Sequence, residues 1–345
     1  MYPDAVGFTS GEERFGDDGA PRASRATPLV SVVVPTFRRP DRVVTALWSV
    51  FEQTWRNIEV VVVDDNGRGT KSQRATEAAV HALMPERHVV YVVHERNRGA
   101  CAARNSGVVR ASGSLVAFLD DDDVWYLHKL ERQVERLQGS PPHTALVYAG
   151  FRKIWDDGRS ITVLPDGLAH QWPHVLRGNS IGTTSLILVR REALMEVGGF
   201  DESLPAMQDF DLYVRLALLY PMTYVDEVLM DHSKHDDGKI STDHRSNVRA
   251  HAHFYAKHRL LIERDRVAKH QRLSEYAREA ARAGDFGHAR QLFLRAWVAL
   301  PHKLSALARA LIVSRITVSL YRRLHGLYRA VSWHRRQAEP RGRAS

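Results

Sequence analysis

The chain has a single cysteine, Cys101, among its 345 residues. One thiol can neither close an intramolecular disulfide nor complete a thiolate zinc site, which excludes disulfide-stapled scaffolds and points to a reducing compartment. An uninterrupted apolar run of roughly 18 residues, the length a bilayer-spanning helix needs, is also missing. The first 28 residues hold Gly, Asp and Arg without an apolar centre, unlike a secretory signal. A cytoplasmic protein is expected. Histidine is plentiful, at 18 residues, yet His232 and His235 lack the H-E-x-x-H spacing that builds a helical zinc site. With 44% hydrophobic and 26% charged residues, collagen-like, coiled-coil and wholly disordered chains fall away as well.

Charge is present but unevenly placed. Residues 245–345 hold 22 Lys and Arg against 6 Asp and Glu, so the overall +9 leaves −7 for the rest of the chain. The basicity belongs to the tail. Three regions are expected: a leader over 1–28 with turn formers and no period, a catalytic domain over 29–245, and a basic helical extension over 246–345.

From Leu29 the β-branched run LVSVVVP, stopped by Pro35, is followed by the helically spaced VVTALWSVFEQ and a second run, IEVVVVDD. A helix near Ser72–Leu83, the strand VVYVVH and a Gly99-led helix through Arg110, ended by Gly113, complete a third cycle before SLVAFLDDDD. Apolar strands alternating with helices imply an α/β fold with a mostly parallel sheet covered on both faces, and such sheets bind ligands at the carboxyl ends of their strands. Both VVDD and FLDDDD end there. Farther on, ALVYAGF and TSLILVRR read as strands, EALMEVG as a short helix, and the later half of GGFDESLPAMQDFDLYVRLALLY as a helix.

Asp120, Asp121, Asp122 and Asp123 are four consecutive carboxylates after a buried strand, which repel one another unless a cation or solvent relieves them. A hard divalent ion, Mg²⁺ or Mn²⁺, is one such cation, and one or two carboxylates suffice when phosphate oxygens complete its shell. A solvated acidic loop is the plainer alternative.

The ordered segments SVVVPTFRR, VVVVDDN, NRGACAARNSG, FLDDDDVW and GGFDESLPAMQDFDLYVRL together resemble the signature set of the family 2 glycosyltransferases, which have the GT-A fold. The resemblance covers about residues 29–245. It implies a nucleotide-diphosphate-sugar donor, a divalent cation, and inversion at the anomeric carbon on transfer to a saccharide or lipid-linked acceptor. On that likeness Pro35, Thr36, Phe37, Arg38 and Asp65 border the nucleotide, with Asp65 accepting from the base and Phe37 lying along base or ribose. Asp64 then has a turn-capping role. The turn PTFRRPD departs from the family's commoner Tyr or Asn, which bears on Phe37 and Arg38 more than on Asp65.

Asn97, Gly99, Arg104 and Asn105 match the family's N-x-G-x-x-x-x-R-N segment, where a glycine before a helix allows close approach of backbone to phosphate and Arg104 adds charge. Alternatively, Asn97 and Gly99 shape a turn while Arg104 braces the acidic loop. The family's D-x-D falls on Asp120, Asp121 and Asp122: Asp122 is the expected metal ligand, Asp120 and Asp121 are expected at the donor nucleotide, with Asp120 contacting ribose or the metal shell, and His235 completes that shell.

Inversion by one displacement needs a base opposite the departing diphosphate, where metal ligands are badly placed. Gln208-Asp209-Phe210-Asp211 matches the family's E-D-x-D-L with Gln in place of Glu, which implies Asp209 as the base. The other reading makes Asp209 a helix N-cap and Asp211 an early-turn acid favoured by the dipole. FLDDDDV also satisfies the phosphatase pattern hhhhDxDx[TV] of haloacid-dehalogenase-like enzymes, with Asp120 as nucleophile and Asp122 as acid/base, but strand–helix cycles precede it where that motif normally opens a domain. A degenerate, non-catalytic transferase fold is the third reading, to which Gln208 lends slight support.

Residues 270–301 look like one tetratricopeptide unit, with Ala277, Gly284, Ala289, Phe293, Ala296 and Pro301 in matching places. A lone unit cannot bury its apolar face and needs a packing partner. The following Arg-rich amphipathic stretch suits either packing or the anionic inner face of a cell membrane, making the protein peripheral there. No recognition motif accompanies the basic clusters, so nucleic acid is not an expected partner.

Overall fold

The computed structural model describes residues 27–83, 89–167, 171–234 and 243–313. These residues form two compact units. The first comprises the described residues up to Trp172, with Ile181–Phe200 and Leu212–Lys234; the second takes Pro173–Ser180, Asp201–Asp211 and the described residues from 243 onward.

The first unit is built on a nine-stranded mixed sheet. In chain order its elements are β1 (Val30–Thr36), α1 (Pro40–Phe51), β2 (Ile58–Asp64), α2 (Lys71–His81), β3 (Val89–Val93), α3 (Ala100–Arg110), β4 (Leu115–Phe118), β5 (Asp123–Trp125), α4 (Lys129–Gln138), β6 (Leu146–Trp155) and β7 (Ser160–Val163). After α5 (His174–Arg177), which groups with the second unit, come β8 (Leu188–Arg190), α6 (Arg191–Glu196), α7 (Gln208–Ala217) and β9 (Met222–Lys234). The first turn of α7 groups with the second unit and the rest with the first.

Strands run in the order β3-β2-β1-β4-β8-β6-β9-β5, with β7 beside β6. β3, β2, β1 and β4 are mutually parallel, as the apolar runs predict. Beyond them β8 is antiparallel to β4 and β6, and β5 to β9. The segment TSLILVRR, read as one strand, breaks into a 3₁₀ turn at Thr184–Leu186 before the short β8. The third helix ends at Arg110, three residues before Gly113. Gly113 serves packing instead: a Cβ there would lie 2.6 Å from both the Leu29 carbonyl and Ser31 Oγ.

β1 stands between β2 and β4, so the chain winds one way through β2 and β3 and then crosses to the other side of β1. Open α/β sheets bind ligands at such a switch point, outside the carboxyl ends of the strands. The β1–β4 ladder stops at Val33 opposite Phe118, whereas β1–β2 pairing continues to Thr36 opposite Asp64. Leu119 N donates to Val33 O and Asp65 N to Thr36 O, so Pro35, two residues beyond Val33, faces the side where the ladder has already ended. A residue without an N–H costs nothing there, and β1 runs one residue past the proline. The two strand ends part, leaving room between the residues after β1 and those after β4.

All seven residues of β1 are buried, and Val32, Val34, Val60, Val62, Ala117 and Leu119 join the main apolar core. Each buried valine contributes on the order of 1.5–3 kcal/mol. On the other face α3 meets β1 through Gly107, where a Cβ would fall 2.3 Å from Val33 Cγ1. That close approach brings the start of α3, with Arg104 one turn in, beside the parted strand ends.

The second unit continues with α8 (His244–Lys257), α9 (Arg259–Arg264), α10 (Arg266–Arg282), α11 (Phe286–Ala299) and α12 (Leu304–Val313). Asp243, Asp265 and Asp285 cap α8, α10 and α11 by accepting from first-turn amides. α10 and α11 pair as a hairpin turned at Gly284, whose φ of 91° favours glycine. Ala277, Ala280, Ala281, Ala289, Phe293 and Ala296 fill the core of that unit. The amphipathic stretch expected after α11 lies within the description only as far as α12.

Candidate functional site

Pro35 and Thr36 are buried at the end of β1, and Phe37 and Arg38 emerge from it. Arg38 has a left-handed φ of 58°, one of two such non-glycine residues in the described chain. A bulky residue there is strained by roughly 1–3 kcal/mol, and such strain gathers at ligand sites. Asn66 holds it: its Oδ1 accepts from Arg38 N at 2.7 Å, while its Nδ2 donates to Thr76 Oγ1 at 3.2 Å. The Arg38 guanidinium lies 4.8 Å above the Phe37 ring, leaving an exposed aromatic and a cation at the strand end. Asp64 accepts from Asn66 N at 2.8 Å, the expected turn contact, and from the Tyr91 hydroxyl at 2.5 Å.

Asp65 is buried and saturated. Its Oδ1 accepts from Arg98 N at 2.8 Å and pairs with His94 Nδ1 at 2.6 Å; its Oδ2 accepts from Asn97 Nδ2 at 3.0 Å and Gly99 N at 2.7 Å. A carboxylate offers about four acceptor positions, and all four are engaged. In this conformation the Asp65 carboxylate shapes the turn before α3. Gly99, with a φ of 88°, has open space around the position of a Cβ, and Asn97 is exposed.

The acidic loop after β4 divides its four charges among different partners. Asp120 Oδ1 accepts from Arg104 Nη2 at 2.5 Å, and Asp120 N donates to Ser185 Oγ at 3.0 Å. Asp121 turns inward, accepting from Thr36 Oγ1 at 2.9 Å and from Arg39 Nη1 at 2.9 Å; burial pushes its carboxyl up from the ordinary value, against the opposing pull of those donors. The same Arg39 nitrogen lies 3.1 Å from Asp122 Oδ2. Asp123 is wholly buried and pairs with His232 Nδ1 at 2.9 Å, burial again raising its carboxyl against the imidazole's pull. Arg39, Arg104 and His232 thus supply partners within the protein for carboxylates that the sequence reading left to a cation or to solvent.

No group of three or more His, Cys, Asp or Glu ligands converges among the described residues, and His235 lies outside them. The donor set at Asp120 and Asp122 is two hard carboxylates. Such a pair suits Mg²⁺ or Mn²⁺ held jointly with a diphosphate, not an all-protein cage.

The second cluster, in the second unit, surrounds the first turn of α7. Met207, just before it, is the other left-handed non-glycine residue, with φ 64°. Asp209 is the second residue of the helix rather than its cap; its Oδ2 accepts from Asn179 Nδ2 at 2.8 Å and its Oδ1 from Phe210 N at 2.7 Å. Asp211 is fully buried against Lys257 Nζ at 2.9 Å and His258 Nε2 at 2.8 Å. Lys257 also reaches Asp201 at 2.6 Å, and Phe210 stacks on Phe254 with centroids 4.6 Å apart. Lys257, His258 and Asn179 were not singled out from the sequence. They lie 30 or more residues from their partners, and no local pattern marks them.

Residues 31–198 match the sequence model of Glycosyl transferase family 2. An uncharacterized glycosyltransferase of Rickettsia felis is 30% identical over 62% of this chain and 36% of its own length. The chain spans about a third of the first Rickettsia relatives it matches. The putative colanic acid biosynthesis glycosyl transferase WcaA of Escherichia coli K12 is 27% identical over 69% of this chain and 84% of its own. The amylovoran biosynthesis glycosyltransferase AmsB of Erwinia amylovora is 31% identical over 54% and 62%. Among solved structures, S. aureus TarS 1-349 in complex with UDP-GlcNAc superposes with a TM-score of 0.63 at 15% identity, covering 86% of this chain and 92% of that one. The mannosyltransferase PcManGT of Pyrobaculum calidifontis, in complex with GDP-Man and Mn2+, gives 0.52 at 20% identity, over 90% and 81%. At these identities the likeness establishes the fold, which is the expected GT-A architecture with a helical C-terminal region.

Proposed function

We propose that the chain, whose residues 31–198 match the family 2 glycosyl transferase model, is a glycosyltransferase that transfers a sugar, with inversion, from a nucleotide-diphosphate donor to a saccharide or lipid-linked acceptor in polysaccharide assembly. The observation that carries the reading is the convergence at one sheet switch point of the strained Phe37–Arg38 turn, the Asp65-braced Gly99 turn and the Asp120–Asp122 loop with its two arginines. The names of WcaA and AmsB, and the donors in the TarS and PcManGT complexes, support the same class of chemistry.

On this reading Phe37 and Arg38 flank the base, at the end of the strand that closes with Pro35 and Thr36. Asp65 fixes Asn97 and Gly99, whose turn admits the diphosphate to the start of α3. Arg104 orients Asp120 towards the ribose, and Asp121 ties the acidic loop to β1. Asp122, with Asp120, would hold a divalent cation, which when bound supplies positive charge to the departing diphosphate. His235 remains a candidate for the same shell. Asp209 takes the proton from the acceptor hydroxyl; its hydrogen bonds from Asn179 and the Phe210 amide orient the carboxylate for that task. No helix among the described residues is long and apolar enough to cross a membrane, and the excess positive charge of residues 245–345 suits peripheral attachment to anionic lipid. The phosphatase reading of Asp120 and Asp122 is not favoured, because the family match extends through the three strand–helix cycles that precede them.

The test incubates the full chain with UDP-GlcNAc, GDP-mannose and related donors in the presence of Mn²⁺ and follows nucleoside diphosphate release. Turnover that Asp122→Asn abolishes supports the proposal. Phosphate release from a phosphomonoester without any diphosphate release would favour the phosphatase, and neither activity would favour a scaffold.

A further inference from the structure

Arg39 is the residue the proposed function leaves without a task, and its position is unusual. It stands at the N-terminus of α1, in the same turn as the strained Arg38, and one guanidinium nitrogen touches two carboxylates of the acidic loop: Asp121 Oδ1 at 2.9 Å and Asp122 Oδ2 at 3.1 Å. The Asp121 end of this bridge is fixed. Asp121 is buried and additionally held by Thr36 Oγ1, with Phe37 N at 3.4 Å. Asp122 is the carboxylate assigned to the cation, and the Arg39 side chain, 30% exposed, has a path outward.

We infer that Arg39 is a resident counter-ion of Asp122 which a divalent cation must displace, so that cation binding is weak without the donor and strengthens when a diphosphate offers Arg39 another anion. The inference rests on the metal reading proposed above. A cation on Asp122 would sit within a few ångströms of the guanidinium, and like charges so close repel strongly where solvent is scarce. A diphosphate arriving beside the loop removes the conflict in two ways: its oxygens complete the metal's shell, and they accept from the displaced arginine in the bidentate geometry that guanidinium suits. The x residue of the D-x-D then has a definite role. By anchoring Arg39, Asp121 keeps a positive charge beside Asp122 and so opposes cation binding in the donor's absence.

The experiment titrates the full chain with Mn²⁺ alone, reading free Mn²⁺ by electron paramagnetic resonance, and repeats the titration with UDP and with GDP. Wild type is expected to bind Mn²⁺ at least tenfold more weakly without nucleotide than with it. Arg39→Met, which keeps the aliphatic stem and removes the charge, is expected to bind Mn²⁺ alone at least tenfold more tightly than wild type, and Arg39→Lys to stay near wild type. Equal nucleotide-free affinity in wild type and Arg39→Met overturns the inference while leaving the metal reading intact, provided Asp122→Asn abolishes nucleotide-dependent Mn²⁺ binding. Absence of protein-dependent Mn²⁺ binding under every condition overturns both. Circular dichroism melts confirm that each variant is folded; should Arg39→Met fail to fold, Arg39→Gln takes its place with the same expected gain.

Discussion

Asn105 closes the segment Asn97–Asn105 with a side chain that acts as a surrogate backbone. Its Nδ2 donates to Phe200 O at 2.9 Å and its Oδ1 accepts from Phe200 N at 2.8 Å, pinning the Gly198–Gly199–Phe200 turn to α3. Phe200 is 2% exposed, so neither of its backbone groups finds water if the amide is removed. Gly199 fits the same contact, with φ 67° and a would-be Cβ only 2.6 Å from Asn105 Oδ1. Asn105→Ala strands one donor and one acceptor, each costing about 1–3 kcal/mol when buried and unpaired. Alanine returns at most about 0.7 kcal/mol of helix propensity. The net loss is about 2–5 kcal/mol, or roughly 5–15 °C in melting temperature for a unit of this size.

Asn105→Asp separates this account from simple packing, because it preserves shape. Its ionised carboxylate would face the Phe200 carbonyl without a donor, whereas its protonated form donates again. The folded-state pKa of that aspartate is therefore expected above the unfolded value of about 3.9. Stability relative to wild type should be greatest below that value and fall as pH rises through the folded one. Thermal melts of both variants between pH 4 and 8 read this directly. A melting temperature for Asn105→Ala within about 1 °C of wild type would refute the reasoning, as would an Asn105→Asp variant indifferent to pH. Phe200 also lies edge-on to Phe118 at 5.2 Å and beneath Arg104 at 5.5 Å, so the loosened turn is expected to weaken the Arg104–Asp120 contact as well.

Asp209→Asn should lose transfer by roughly two to four orders of magnitude while UDP or GDP still binds by calorimetry; joint loss of binding would remove Asp209 from the role of base. Acid should affect the two units differently. Partial burial works to raise Asp201 and Asp265, but Lys257 and Ser203 outweigh it at the first, and the Ala268 amide and Arg177 at the second, so both carboxyls sit below their usual range. Their stabilisation is complete above the unfolded carboxylate pKa of about 3.9 and is lost as pH falls through the lower folded values. In the first unit, burial holds Asp64, Asp121 and Asp123 above that range, so their contribution has the opposite sign, present at low pH and lost as pH rises through the folded values. Glu59 on β2 works against those three: burial acts to raise its carboxyl, but bonds from Ser112, Ser31 and Gly113 outweigh it. Hydrogen exchange is expected to lose protection first in α8–α11 as pH drops from 4 towards 2, and earlier loss in β1–β4 would contradict this. Finally, deleting residues 303–345 should release the protein from anionic liposomes, with full-length binding weakening in salt; identical sedimentation of the two forms would make the tail a packing element.

Much of the first unit was legible because strands and helices announce themselves locally. The valine runs of β1 and β2 and the spacing of α1 leave few alternatives, and Gly99 before Ala100–Arg110 marked a helix start within one residue. Less of the later chain was readable. β9, thirteen residues long, passed unnoticed because MTYVDEVLMDHSK mixes acids with apolar residues and has no clean alternation, and its pairing with β6 shifts register at Ala149–Gly150. A strand bounded by irregular pairing does not keep the period of two on which such a reading depends.

By itself the sequence determined the strands and helices from β1 to β4, that acids stand at strand ends, and which motifs occur in which order, since each follows from neighbours a few residues apart. The tertiary structure decided what those acids do. Asp65 meets donors from residues 94 to 99, Asp211 meets Lys257 and His258, and Arg39 bridges Asp121 and Asp122. Partners of that kind are chosen by which strand lies beside which and how closely α3 approaches β1 through Gly107, and a charge carries no periodicity that would reveal its partner across 30 or 80 intervening residues.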